Sequence, residues 1–188
     1  MDRFQKRKQT REKRKSQICK VYELKIDKSH LSLADETHLL TLFKEAKWFY
    51  NYCLSQQNIN DSDTTIRIIP VKVKDKFEER TLSILPGQIK QAIKARLFGS
   101  LTALKALKDK GYKVGWFKFK SSINSIPLRQ HGQTYFINHN KIRIQGMKKW
   151  LRVIGLKQIL KETEIANATL IRKNDDYYAI EANQRENI

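Results

Sequence analysis

Strand-like segments lie on both sides of a helical stretch of roughly 80 residues, and this order constrains the fold more than any other feature. Residues 19–27 alternate apolar and polar side chains, which predicts a half-buried strand. Residues 32–35 read S-L-A-D, the form of a capping box, and precede an apolar helical stripe that ends near Gln57. Residues 86–111 begin with Pro and end with Gly, so they predict a second long helix.

Between these helices the prediction is mixed, and after them it is mostly β. Residues 66–74 are β-like although Pro70 interrupts them, and residues 75–80 (D-K-F-E-E-R) predict one or two helical turns. Further strands are predicted at residues 115–120, 134–138, 141–145, 150–154, 168–173 and 177–182, with turns at residues 139–140 and 174–176. Because sequential strands usually pair, we expect an α+β fold. A small β-barrel of residues 19–31 and 115–184 would carry an inserted helical bundle at residues 32–114.

The balance of charge points to a polyanionic partner. Of the 188 residues, 38 are Lys or Arg and 19 are Asp or Glu, which gives a net charge of +19. Nucleic acid is the usual partner of so basic a chain, and an anionic membrane surface is the second. Residues 1–18 are rich in Lys and Arg with few apolar residues, so we expect either a basic, flexible arm that meets phosphates or a solubilising tail.

The sequence carries no sign of a membrane or an oxidising compartment. No apolar run approaches the roughly 20 residues that cross a bilayer, and residues 1–18 lack the apolar centre of a secretory signal. Cys19 and Cys53 are isolated thiols without disulfide or metal-ligand spacing. We therefore expect a cytoplasmic protein. We expect no membrane partner, because the Leu, Phe and Trp residues lie on stripes that a core already needs.

Residues 115–122, G-W-F-K-F-K-S-S, alternate aromatic and basic side chains directly after a glycine. In an extended strand, Phe117 and Phe119 would share one face and enter a core. Trp116, Lys118 and Lys120 would share the other face and offer a stacking ring and two cations to an anion. The alternative is an edge strand whose lysines discourage aggregation.

A second basic feature follows the helix predicted at residues 86–111. Lys90, Lys94, Lys105 and Lys108 fall within about 60° of arc along one flank of its apolar stripe. We expect this lysine row to meet a nucleic-acid backbone, and a solvated flank of a core helix is the alternative. The further candidates for backbone contact are Arg96, Arg129 and Arg143.

Catalytic motifs are not found. The sequence contains no nucleotide-binding P-loop, no G-x-S-x-G and no H-E-x-x-H. Its one D-x-G, at residues 109–111, is better explained as a helix end, and the four histidines (His30, His38, His131 and His139) have no metal-ligand spacing. We expect no catalytic residue, no metal and no cofactor.

Residues 45–54 read E-A-K-W-F-Y-N-Y-C-L, and residues 126–130 and 141–153 read I-P-L-R-Q and K-I-R-I-Q-G-M-K-K-W-L-R-V. Together with residues 115–122, these stretches resemble motifs of the TnpB family, RNA-guided nucleases of insertion sequences that are related to type V CRISPR effectors. The first resembles the family's R-x-x-Y-N-x-x-L helix, with Lys47, Tyr50, Asn51 and Leu54 in the matching places. Residues 115–122 resemble G-x-P-R-F-K-S-K, with phenylalanine in place of proline. Residues 126–130 and 141–153 resemble the segment that leads to K-L-x-L-P-K-x-G, with glutamine and glycine in place of proline and lysine.

The resemblance covers roughly residues 19–184 and implies a wedge-type, oligonucleotide-binding-like β-barrel with an inserted α-helical recognition bundle. The barrel would hold a structured guide RNA, and the bundle would contact the guide–target duplex and flanking DNA. Contact with flanking DNA is implied for Tyr50, Asn51, Gln88 and Gln130. The family's RuvC nuclease domain would begin near residue 188, so we expect binding of RNA and target DNA without cleavage by this chain.

Two other functions stay open. The chain could be an interaction subunit that docks onto a separate nuclease or transposase polypeptide, with its charge incidental. It could also be part of a metal-dependent nuclease that assembles in trans or by dimerisation. Copurification of a nuclease-resistant protein partner favours the first, and magnesium-dependent cleavage favours the second.

Overall fold

The computed structural model describes residues 2–159, 164–173 and 177–187, and it is a mixed α+β structure. Its long helices are α1 (Arg3–Lys15), α2 (Leu33–Ser55) and α3 (Gly87–Asp109). Its strands are β1 (Gln17–Ile26), β2 (Ile68–Val73), β3 (Lys76–Thr81), β4 (Ser125–Leu128), β5 (Tyr135–Asn138), β6 (Lys141–Ile144), β7 (Leu151–Ile154), β8 (Glu164–Lys173) and β9 (Tyr177–Asn187). The prediction of an α+β chain is confirmed.

Seven of these strands form one curled sheet in the order β4-β8-β9-β1-β7-β6-β5, and neighbouring strands in it are antiparallel. The first strand, β1, lies in the middle, where it pairs with β9 along its length and with β7 at its end. The edge strands β4 and β5 are joined by residues 129–134 alone, so the chain itself draws the two edges of the sheet together. The sheet is a half-barrel rather than a flat layer.

The insertion between β1 and β4 contains α2, a separate β2–β3 hairpin and α3. The helical turns predicted at residues 75–80 are wrong, because residues 76–81 form β3. A two-residue turn joins Val73 to Lys76, and Lys74 adopts a positive φ of 53° there. Pro70 is tolerated in β2, the strand that pairs with β3 in this two-stranded sheet.

Both predicted helices in the insertion are confirmed, together with the signals that delimit them. The Ser32 side chain accepts from the Asp35 N–H, and the Asp35 carboxylate accepts from the Ser32 N–H, so the capping box is complete at the start of α2. At the end of α3, Gly111 has a φ of 85°, which suits the left-handed end of a helix. The D-x-G at residues 109–111 is therefore a helix end.

The insertion and the sheet share one apolar core. Leu24 and Ile26 of β1 lie in the same buried cluster as Phe49 of α2, Ile93 of α3 and Ile126 of β4. Because burial of apolar surface is the main favourable term in folding, this shared core fixes α2 and α3 against the sheet. A site formed between α2, α3 and β4 is therefore supported by this buried core.

Residues 1–18, which were predicted to be a basic arm, contain a helix in the structure. Arg3–Lys15 is helical, its described side chains are exposed, and β1 begins at Gln17, two residues earlier than expected. Most residues of α1 are Lys, Arg, Gln or Glu, which have a high propensity for the helix.

The strand predicted at residues 115–120 is also wrong. These residues form no strand, and no described strand pairs with them. Since no sheet neighbour imposes a two-residue alternation, Phe119 does not enter the core and its side chain is 66% exposed. β4 begins five residues later; the sequence pattern did not predict it because Pro127 lies inside it, as an edge strand allows.

The predicted hairpins are confirmed where the structure describes them. β5 and β6 pair around the turn at residues 139–140, where His139 has a φ of 52°, and β7 occupies the expected place beside β6. β8 pairs with β9, although both strands are longer than predicted. The turn predicted at residues 174–176 lies outside the described residues.

Candidate nucleic-acid interface

A cleft of about 390 Å³ lies where α2, α3, residues 115–122 and β4 meet. We call residues 115–122 the strip and this cleft the strip groove. The groove is lined by Tyr50, Ile93, Arg96, Leu97, Ser100, Trp116, Phe117, Lys118, Phe119, Lys120, Ile123, Asn124, Ser125 and Pro127. These lining residues include three cations and four aromatic rings, and none of them is acidic.

Asn51 of α2 holds the strip in place. Its side-chain amide donates to the Lys120 carbonyl oxygen at 2.9 Å, and its side-chain oxygen accepts from the Lys120 N–H at 2.9 Å. This pair of bonds imitates one rung of a β-ladder, so the strip is fixed without a strand beside it. The Lys120 ammonium lies 4.7 Å from the centre of the Tyr50 ring, a cation–π contact.

The Tyr50 side chain is half-buried, and this burial raises the pKa of its hydroxyl. The phenol therefore stays neutral at physiological pH and serves as a ring under Lys120. Tyr50 and Asn51 were predicted to contact flanking DNA. In the structure, both residues contact the strip.

The rings of the strip face outward to different degrees. The Trp116 side chain is 78% exposed, and Phe117 is half-buried with its ring centre 6.3 Å from that of Trp116. Phe119, which was expected to be a core residue, also lines the groove. Large exposed rings on a groove rim are typical of surfaces that stack on flat ligands such as bases.

The cations of the groove differ in how they are held. Arg96 donates to the Ser125 hydroxyl at 3.0 Å and to the Thr169 hydroxyl at 3.4 Å, which ties α3 to β4 and β8. Lys118 is exposed and makes no hydrogen bond or ion pair with any described residue. Arg96 is therefore positioned within the groove, whereas Lys118 is free to follow a ligand.

The lysine row predicted along α3 is divided in two. Lys90 is only 4% exposed, donates to the Ile66 carbonyl oxygen, and lies 6.0 Å from the centre of the Phe49 ring. Burial lowers the pKa of Lys90, and the nearby carboxylates of Asp63 and Glu45 oppose this effect. Its ammonium is occupied inside the fold, which corrects the expectation that it lies on the surface.

Lys94 is also occupied within the fold. Its ammonium donates to the carbonyl oxygens of Asn60 and Ser62, each at 2.7 Å. Lys105 and Lys108, further along α3, are exposed and have no hydrogen bond or ion pair with the described residues. Of the four lysines in the row, Lys105 and Lys108 alone have the exposed, unpaired position that was predicted for all four.

The remaining predicted contacts lie around the β4–β5 connection. Arg129 and Gln130 are exposed there, and the Gln130 carbonyl oxygen accepts from the Thr134 N–H at 3.0 Å. The Gln88 side-chain amide donates to the Gln133 side-chain oxygen at 3.3 Å, which links the first turn of α3 to this connection. Gln88 thus contacts the connection that contains Gln130, but neither Gln88 nor Gln130 lines the strip groove.

Arg143 lies apart from the groove, on β6. Its guanidinium carbon is 4.8 Å from the centre of the Phe136 ring and 5.1 Å from that of Trp150. The sequence pattern did not predict this cluster, although a signal for it existed. Phe136 and Arg143 stand at equal distances from the turn at residues 139–140, so a hairpin places them opposite each other.

The described part of the chain also bears on metal sites, membrane-spanning helices and thiols. Among the described residues, no group of three or more His, Cys, Asp or Glu side chains could hold a metal ion. The described helices include none that is both long and apolar enough to cross a bilayer. Cys19 is a free, exposed thiol, and Cys53 is a free, buried one whose pKa is raised by burial.

Comparison with known proteins adds no assignment. Neither the protein-family models nor the sequences of curated proteins give a match to this chain.

Proposed function

We propose that this protein is a nucleic-acid-binding module of TnpB type that grips a structured RNA in the strip groove. The observation that carries the proposal is the groove lining, which combines Arg96, Lys118 and Lys120 with exposed rings and contains no acidic residue. Cations neutralise phosphates, and rings stack on unpaired bases. The net charge of +19 supplies long-range attraction to the same ligand.

The finer assignment follows the TnpB resemblance. The curled sheet would be an oligonucleotide-binding-like wedge barrel for a guide-type RNA, and the insertion would meet target and flanking DNA. Two features support this proposal. The insertion follows β1, which lies in the middle of the sheet, and residues of two separate family-like motifs, Asn51 and Lys120, bond to each other.

In this proposal Asn51 is a positioning residue. Both polar atoms of its side chain bond to the Lys120 backbone, so its effect on a ligand passes through the strip. Trp116 and Phe119 stack on bases, while Lys118 and Lys120 contact phosphates. Arg96, which donates to the Ser125 hydroxyl, links α3 to β4 within the groove.

The experiment measures binding of a fluorescein-labelled RNA hairpin by anisotropy between about 50 and 200 mM salt. We expect a steep fall of affinity with salt. The double variant Lys118→Gln/Lys120→Gln should lower the slope of log K against log salt by about 0.7 to 0.9 for each phosphate that is no longer neutralised. Trp116→Leu should weaken binding to RNA that has unpaired bases and leave the salt slope unchanged.

The matched control is Lys72→Gln/Lys76→Gln, which removes the same charge from the exposed surface of the β2–β3 hairpin. Asn51→Ala should weaken RNA binding with the charge unchanged, because it releases the strip. An affinity that is insensitive to salt would contradict the proposal. So would equal losses in the groove and control variants.

A further inference from the structure

The outer face of β5, β6 and β7 carries a second cluster of cations and rings, which we call the outer patch. Along these strands the core-facing side chains are buried, for example Ile142, Ile144 and Val153. Since strand residues alternate between faces, the intervening side chains point away from the core. Four of these outward side chains and the adjoining Trp150 make up the patch: Phe136, Lys141, Arg143, Trp150 and Arg152. None of these residues lines the strip groove.

Arg143 is held in the patch by its ring contacts. Phe136 is its direct cross-strand partner, and Trp150 precedes β7 on the other side, so rings from two segments lie within about 6 Å of the guanidinium. A guanidinium that stacks on rings uses its faces and keeps its N–H edges for a planar anion. Stacking also removes rotamer freedom before any ligand arrives, which lowers the entropy lost on binding.

The hydrogen-bonding capacity of Arg143 is unused within the described part of the protein. The side chain is half-buried, yet its five N–H donors make no hydrogen bond or ion pair with any described residue. Partly buried polar groups normally find partners. A guanidinium that its neighbours hold in place, and whose donors are free, can bind an oxyanion of a ligand.

The neighbouring strand pair adds uncompensated charge. Lys141 stands directly opposite Arg152, and like charges in this position destabilise a sheet. Arg152 is partly compensated, because it donates to His30 and lies 3.5 Å from a carboxylate oxygen of Asp27. Lys141 has no hydrogen bond or ion pair with the described residues, so the patch retains net positive charge.

We propose that the outer patch is a second phosphate site of the same nucleic acid, with Arg143 as the bidentate donor to a phosphodiester and Lys141 as its supporting cation. This inference rests on the proposed function for the identity of the ligand. When one long RNA binds both phosphate sites, binding at either site raises the effective concentration of the RNA at the other site. Short oligonucleotides reach one site at a time.

The test compares a long RNA hairpin with a short single-stranded RNA, both fluorescein-labelled, in anisotropy titrations. We expect Arg143→Gln to weaken binding of the long hairpin about five- to tenfold, because it removes a charge-assisted bidentate interaction. Arg143→Lys keeps the charge and part of the ring contact but removes the fork, so it should weaken binding nearly as much. Phe136→Leu, which removes a ring and no charge, should have a smaller effect in the same direction.

Lys157→Gln is the control, since Lys157 is exposed and the substitution removes one charge outside the patch. If Arg143→Gln weakens binding no more than this control, the second site is wrong. If thermal unfolding shows that Arg143→Gln is not folded, Arg143→Lys decides in its place. Displacement of the long hairpin by inorganic phosphate at equal concentration would show a small-anion site and overturn the assignment to nucleic acid.

The groove variants separate this inference from the proposed function. Loss of binding in Lys118→Gln/Lys120→Gln with none in Arg143→Gln leaves the groove standing and removes the patch. The reverse result leaves the patch and removes the groove. Equal affinity of all variants for both RNAs contradicts both.

Discussion

The two halves of α3 carry lysines on the same flank of the helix, but their environments are opposite. Lys90 and Lys94 lie under residues 60–66 and donate to backbone carbonyl oxygens there. Lys105 and Lys108 lie beyond Ser100, the last residue of α3 that lines the strip groove, and remain exposed. Helical spacing identifies a face, whereas the neighbouring chain decides whether a cation on it stabilises the fold or meets a ligand.

The largest effect is expected at the loop that leads into the covered half of α3. Glu45 is 1% exposed, and its carboxylate accepts from the N–H groups of Ser83, Ile84 and Leu85 at 2.8–3.0 Å. Glu45→Ala leaves these three N–H groups and the Ser83 hydroxyl without their partner, so we expect the free energy of unfolding to fall by about 4 kcal/mol in urea titrations. Glu36→Ala, at a part-exposed ion pair, should cost under about 1 kcal/mol. Equal losses would show that the buried carboxylate does not hold this loop.

The next effect tests the comparison directly, with one substitution at two places on the same helix. Lys90→Ala removes a buried side chain and its bond to the Ile66 carbonyl oxygen, and we expect the unfolding free energy to fall by about 2–3 kcal/mol. Lys105→Ala should change stability by less than about 0.5 kcal/mol, because that side chain is exposed. The two sites share their helix propensity, so the difference reports burial and the carbonyl contact. Similar losses at both would contradict the division of α3.

A structural feature could be predicted from the sequence when the residues that specify it lie close together in the chain. The start of α2 and the pairing of β5 with β6 follow from residues within a few positions of one another, and both are confirmed. The strip was misread as a strand because its partner, Asn51, is 69 residues away. The burial of Lys90 depends in the same way on Ile66, which the helical spacing does not contain. Trp116 and the cations of the groove were identified as binding candidates, whereas Phe117 and Phe119 were expected to enter the core. The packing that joins these residues was not predicted.

The next prediction concerns the ion pair of Lys149 with Asp35, whose contribution to stability depends on pH. Lys149 is about half-exposed, and its ammonium lies 2.7 Å from the Asp35 carboxylate. This ion pair, together with bonds from Ser32, lowers the pKa of Asp35 from 3.8 to about 2. Because the folded-state pKa lies below the unfolded one, the stabilisation is complete above about pH 4 and disappears as the pH falls towards 2.

Asp35→Asn should therefore lower the free energy of unfolding by about 1–2 kcal/mol at neutral pH, since it also weakens the cap of α2. The difference between the variant and the parent should shrink as the pH falls from about 4 to 2, which acid-series urea titrations measure. Lys149→Gln should reduce the same pH dependence and leave the cap intact. A constant difference across this range would mean that the carboxylate charge does not contribute.

The smallest effect on stability is expected at the exposed end of α3, where the comparison predicts a change in binding instead. Lys105→Gln/Lys108→Gln removes two charges that make no hydrogen bond or ion pair with the described residues, so the midpoint of thermal unfolding should move by less than about 2 °C. Affinity for the RNA hairpin should fall, and the salt slope should decrease by about 0.7 to 0.9 for each phosphate left without its lysine. Lys72→Gln/Lys76→Gln again matches the charge. If the two double variants bind alike, the exposed lysines of α3 are a solvated flank, and the nucleic acid does not extend from the groove along this helix.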